Sequence, residues 1–177
     1  EGFATPGFSC LDAVETALFA ELGVAGKAVA QLCCNNAREL LSVKNLGAAR
    51  CVGFDQSGEF LAQGRELADL AGQELELVEG DVYGIPAAHD GAFDIVLITI
   101  GVFGWMPDLP AFLAIPARLL KPGGLLVVHE EHPVMNRFEP GAERPFEPVS
   151  SYFRREPLVA AQARVYHGGD AREAAAR

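Results

Sequence analysis

Short apolar runs alternate with helix-patterned segments along this chain, and that alternation constrains the fold more than any other feature. The runs at Ala28–Leu32, Arg50–Phe54, Leu75–Glu79, Phe93–Ile98 and Leu125–His129 are brief and rich in Val, Ile and Leu, as strands covered on both faces are. Helical patterns fill most of the gaps. The expected fold is therefore α/β, a doubly wound and mainly parallel sheet of Rossmann-like form. With 177 residues, half of them apolar, the chain has material for one core and not for two independent domains.

Helix signals support the alternation. Ser9 and Asp12 open a first helix whose stripe of Leu11, Val14, Leu18 and Leu22 stops at Gly23, and Asn36 followed by Glu39 repeats the start signal. A third helix runs from an N-cap at Ser57 to Gly72, with Phe60, Leu61, Leu67 and Leu70 facing the sheet. A fourth begins near Asp108 and reaches Leu120, and Pro116 inside it predicts a kink or break. Beyond residue 132 the character changes. Pro133, Pro140, Pro145, Pro148 and Pro157 are interleaved with Phe138, Phe146, Tyr152 and Phe153. We expect 1–132 to be the α/β body and 133–177 a Pro/Arg-rich loop or lid of the same domain, with a helical end over Ala171–Arg177.

Charge narrows the partners. The net charge is −10, which disfavours nucleic acid and an anionic membrane face. The body carries the acid, with seven basic against eighteen acidic side chains, whereas 133–177 holds seven arginines against six acids. Arg154 or Arg155, beside Tyr152 and Phe153, would suit an anionic aromatic group. The apolar stretch Ile95–Trp105 is far short of the roughly 20 residues that span a bilayer, and Glu1–Ser9 shows no export signal. A cytoplasmic setting is expected. Cys10, Cys33, Cys34 and Cys51 form no CxxC pair and are expected to be buried thiols. His129-Glu130-Glu131-His132 has its histidines three apart after a strand, not at i and i+4 on a helix, so no metal site is expected.

The chemistry gathers at the strand tips. The first strand leads through Gln31-Leu32-Cys33-Cys34-Asn35-Asn36-Ala37 into a helix, where a doubly wound fold presents backbone N–H groups to a nucleotide-like ligand. No glycine lies in this turn, although Asn35 and Asn36 tolerate left-handed angles. The second strand ends at Asp55, placed to accept both hydroxyl protons of a ribose, and the third at Gly80-Asp81-Val82, a second acid at a carboxyl end. The G-x-G-x-x-G triplet of a dinucleotide site is absent.

The ordered set "VAQLCCNNARELLSVKNLGA", "VGFDQSGEFL", "LVEGDVYGIP...DGAFDIVLI" and "LLKPGGLLVVHEEHP" resembles the class I S-adenosylmethionine-dependent methyltransferases over residues 9 to 133. It is most similar to a bacterial subgroup whose first turn reads Leu-Cys-Cys-Asn-Asn-Gly. The resemblance implies S-adenosylmethionine as cofactor, S-adenosylhomocysteine as product, and methyl transfer as activity. It implies that Cys33, Cys34, Asn35 and Asn36 lie under the methionine portion, that Asp55 holds the ribose, and that Gln56 flanks the adenine. Gly80, Asp81 and Val82 would read the adenine edge, and Thr99, Ile100 and Gly101 would face the transferable methyl.

Gln31 stands where many members carry an acid, and Ala37 replaces the subgroup's glycine. Both departures bear on cofactor affinity and motivate an alternative, a non-catalytic binding module acting through a partner. The family's final antiparallel strand pair has no counterpart in 133–177. No Asn/Asp-Pro-Pro-Tyr or Pro-Cys pattern follows the fourth strand, so a small-molecule acceptor is expected. Glu130 and His132 are the candidates for an acceptor base, substrate contact or strand-end hydrogen bonds, and Phe103 and Trp105 are expected to be packing residues.

Overall fold

The computed structural model describes residues 2–139 and 143–154. The chain divides into two compact units, Glu1–Glu131 and His132–Arg177. The first is built from α1 (Ala13–Leu22), β1 (Ala28–Leu32), α2 (Arg38–Asn45), β2 (Arg50–Asp55), α3 (Gly58–Ala71), β3 (Glu76–Glu79), β4 (Phe93–Ile98), α4 (Leu109–Leu119) and β5 (Leu120–Val128). The five strands lie in the order β3-β2-β1-β4-β5, and every pair is parallel. The order reverses between β1 and β4, which makes their carboxyl ends the switch point where ligands of such sheets bind.

Period-two alternation along the strands builds two cores. Val29, Ile95 and Leu97 face Phe19, Leu40, Val43 and Leu61 of the first three helices, whereas Ala30, Leu32, Val96 and Ile98 face Phe112, Ile115 and Leu119 of α4. This is the both-faces burial that the short apolar runs predict. In the second unit, the described part is a 3₁₀ turn at Pro133–Arg137 followed by irregular backbone. The expected helix at Ala171–Arg177 lies outside the described residues.

Several local expectations are corrected. The box that opens α1 is formed by Asp12 and Glu15, and its Glu15 and Phe19 turn inward. Leu11, Leu18 and Leu22 still pack against the core, but Val14 is 68% exposed. Asn36 does not cap α2. Its N-cap is Ala37, left-handed and without a side-chain bond, because the first bond of the helix runs from Leu41 N to Ala37 O at 2.8 Å. On α3 the buried face is Leu61, Gly64 and Ala68, while Phe60 and Leu70 are exposed. Small residues face inward because the helix packs so close that a Cβ on Gly64 would lie 3.1 Å from Asn36 O. Pro116 does not break α4, which runs through it with Pro116 buried. The fifth strand starts earlier than expected: register jumps from Phe93↔Leu120 to Ile95↔Leu125, so 121–124 form a bulge.

Asp94 fastens the amino ends of these strands. Its carboxylate accepts from Ala28 N at 2.8 Å and from Lys121 Nζ at 2.9 Å. The Ala28 amide first, and then Lys121, hold its pKa below the usual carboxylate range. A depressed folded pKa stabilises the fold above the unfolded value of about 3.9, and the contribution fades as pH falls through the folded one. The Tm difference between the native chain and Asp94→Ala should therefore be full at pH 7 and shrink below pH about 4. A difference independent of pH in thermal melts would contradict this assignment.

Candidate functional site

The site begins at the turn between β1 and α2. Cys33, Asn35 and Ala37 all have positive φ, of 53°, 52° and 54°, so every second residue is left-handed and the chain reverses tightly without glycine. Asparagine suits this region; alanine pays about 1–2 kcal/mol for it. Replacing Ala37 by Gly should recover that amount but lose about 0.8 kcal/mol for the buried methyl and about 0.4–1 kcal/mol of chain entropy. Ala37→Gly is expected to melt within about 1 kcal/mol of the native chain. A larger shift in a denaturant titration would show that the turn is held differently.

Asp55, at the tip of β2, binds this turn to the next helix. Its Oδ2 accepts from Asn35 N at 2.7 Å and its Oδ1 from Ser57 N at 2.9 Å. The carboxylate is half-buried, and each oxygen keeps a second lone pair for a ligand. Cys33 senses both strand-tip acids: burial first, then the charges of Asp55 and Asp81, push its thiol up to about 11. The structure therefore brings Cys33, Asn35, Asp55 and Asp81 into one neighbourhood. Burial also raises Cys34, and Cys51 to about 12, so these thiols stay protonated at neutral pH. Cys34 and Cys51 are buried as expected, but Cys10 and Cys33 are only partly so.

Asp81 is exposed, and its Oδ1 accepts from Tyr83 N at 2.9 Å, capping a 3₁₀ turn at Val82–Gly84. Gly80 N donates to Asp55 O at 3.0 Å, which couples the tips of β2 and β3. Val82 is half-buried and Gln56 exposed.

Gln31 occupies the switch point. It is fully buried, and its Nε2 donates to Thr99 Oγ1 at 3.1 Å. Its Oε1 is buried with no hydrogen-bond partner among the described residues. An orphaned buried acceptor is costly unless a donor reaches it, and an ammonium group is one such donor. The residues present therefore suit the amino group and ribose of S-adenosylmethionine, and nothing in the turn requires a phosphate.

After β4 the loop is held from the end of β5. Glu130 accepts from Gly101 N at 2.5 Å, from Phe103 N at 3.0 Å and from Glu131 N at 2.9 Å. Both its oxygens thus serve backbone groups, a role visible in the sequence only as an acid at a strand end. Ile100 in this loop is 47% exposed. Phe103 packs edge-on against Phe112, as expected of a packing residue, but Trp105 is 81% exposed. His132 belongs to the second unit, where its Nδ1 accepts from Val134 N at 3.2 Å and its ring stacks on Tyr152. Arg155 lies outside the described residues.

A family model described as a methyltransferase domain matches residues 30–128, more than half of the chain. The chain belongs to the methyltransferase domain family. No curated protein matches it. Among solved structures it is similar to an S-adenosylmethionine-dependent methyltransferase from Mesorhizobium loti, at 25% identity and TM-score 0.58, covering 70% of this chain and 55% of that one. It is also similar to the PH0226 protein of Pyrococcus horikoshii, at 23% identity and TM-score 0.60, covering 66% and 54%. A third similar structure, the [4+2]-cyclase SpnF, is 24% identical at TM-score 0.58, covering 65% and 43%. The chain thus spans about half the length of the structures it matches. The cyclase shows that this fold hosts more than one chemistry, so activity has to be argued from the site.

Proposed function

We propose that this methyltransferase domain binds S-adenosylmethionine at the carboxyl ends of β1, β2 and β4 and transfers its methyl group to a small molecule. The observation that carries this reading is the pairing of Asp55, fixed by two backbone N–H groups at the tip of β2, with the orphaned Oε1 of Gln31 at the switch point. Asp55 would accept the ribose hydroxyls and Gln31 Oε1 the methionine ammonium. Asp81 and Val82 would meet the adenine edge, with Gln56 beside it. Cys33, Cys34, Asn35 and Asn36 would form the floor of the methionine end. The same turn sequence supports placing the chain in the bacterial subgroup with a Leu-Cys-Cys-Asn-Asn loop.

When bound, the cofactor supplies an electrophilic methyl on a sulfonium. The chain's own residues orient the acceptor and exclude water, which is the larger part of catalysis for such an in-line displacement. Thr99, Ile100 and Gly101 would line the transfer position, held there by Glu130. A proton acceptor is required only for a protonated acceptor atom.

The excess of acid in the body supports a small-molecule acceptor over nucleic acid. A cytoplasmic setting is supported by four unpaired cysteines. No helix of the described residues is long and apolar enough to cross a membrane. Calorimetric titration with S-adenosylhomocysteine tests the reading: micromolar binding is expected, and no heat at millimolar ligand would overturn it.

A further inference from the structure

The first turn of α1 meets the end of β5, where Asp12 and His129 come within 3.8 Å. We propose that Asp12, Glu15 and His129 form a binding site for a divalent transition-metal ion of the zinc type. One donor atom from each residue lies within 4.8 Å of the others. The three are brought together by main-chain architecture. His129 follows β5 directly and stays in register through its N–H to Ile98 O at 2.9 Å. Asp12 and Glu15 are locked by the capping box, in which Asp12 Oδ1 accepts from Glu15 N at 2.8 Å and Glu15 Oε2 accepts from Asp12 N at 3.3 Å.

That box uses one oxygen of each carboxylate and turns the other toward the imidazole. Glu15 Oε1 lies 3.1 Å from His129 Nδ1, and Asp12 Oδ2 lies 3.8 Å from Nε2. The short contact is not a hydrogen bond. Nδ1 is buried and has no hydrogen-bond partner among the described residues. The two atoms lie close together without a proton shared between them, a spacing that a common ion would satisfy. Glu15 adds a second reason: it is only 7% exposed, and a buried carboxylate needs a positive partner.

Donor chemistry selects the ion. One imidazole nitrogen with two carboxylate oxygens suits zinc, cobalt, iron or manganese, whereas calcium and magnesium take sets made of oxygen. With bonds of about 2.0–2.2 Å, neighbouring tetrahedral ligands stand about 3.4 Å apart. The Nδ1–Oε1 separation of 3.1 Å is already close to that. The remaining closure falls to Asp12 Oδ2, the oxygen that the capping box leaves unused, on a side chain that is half-exposed. Three protein ligands leave at least one position for water.

The test uses the full chain after dialysis against a chelator. Zinc chloride alone is titrated by calorimetry and cobalt chloride alone by visible absorption. One equivalent is expected at a micromolar Kd, with ligand-field bands from nitrogen and oxygen donors and no thiolate charge-transfer band. His129→Ala and Glu15→Gln should each weaken binding by tenfold or more. Should these variants fold poorly, Asp12→Asn keeps a good N-cap while removing a charged ligand, and it should still lose about tenfold. Absence of saturable binding would overturn the proposal. Unchanged affinity in folded His129→Ala would overturn it too, by placing the metal elsewhere. S-adenosylhomocysteine binding is read in parallel, so failure here is distinct from failure of the methyltransferase reading.

Discussion

Asp55→Asn is expected to weaken S-adenosylhomocysteine binding by about 100-fold. Two charge-assisted bonds to a ribose diol contribute about 1.5 kcal/mol each at the low end, and about 2.7 kcal/mol corresponds to that factor. The Asn side chain keeps one oxygen for the Asn35 or Ser57 amide, so the tip of β2 should remain folded. Asp55→Ala should abolish measurable binding, but it also strips the acceptor from both amides. It should therefore lower stability by about 1–3 kcal/mol as well. The Asn variant separates the two effects: a melting curve near native with affinity collapsed assigns Asp55 to the ligand. Native affinity in a folded Asp55→Asn would remove the central support for the proposed function.

Much of this site could be read in advance, for physical reasons that differ by residue. Strands buried on both faces must be continuous apolar runs, so β1 and β4 matched their predicted limits. Acids at strand tips stand out because they interrupt such runs, and Asp55 and Asp81 do lie together near Cys33. The turn was less legible. Its left-handed residues alternate, and the third is Ala37, a residue with no intrinsic preference for that region, so Asn36 looked like the cap.

Helix faces misled where small residues do the packing. Gly64 and Ala68 carry little hydrophobic signal, yet they bring α3 within reach of the turn, and Phe60 and Leu70 are left outside. Gln31 was visible only as a departure from a resemblance; its orphaned oxygen needs coordinates. The grouping of Asp12 and Glu15 with His129 joins opposite ends of the first unit, and no spacing rule links residues so far apart. The His129-Glu130-Glu131-His132 segment lacks helical ligand spacing and predicts no metal site, so the sequence offers no signal for this grouping.

Glu130 tests how far a strand-end acid can be structural and still matter for function. As a base alone, it would tolerate Gln with native stability and native cofactor affinity, losing only turnover. Its carboxylate instead joins Gly101 and Phe103 to the end of β5, at the close of the Thr99–Gly101 stretch that would face the methyl group. Glu130→Ala leaves two loop amides and that of Glu131 without an acceptor, at a cost of about 3 kcal/mol, or a fall in Tm of roughly 6–12 °C. Glu130→Gln keeps one oxygen but sets an amide donor against a backbone N–H, so about half of that loss is expected. Amide exchange at Gly101 and Phe103 should accelerate in both variants, and S-adenosylhomocysteine affinity should fall with it because the loop carrying Thr99 is no longer pinned. Unchanged exchange and affinity in Glu130→Gln, with turnover lost, would move Glu130 from positioning the loop to handling the proton.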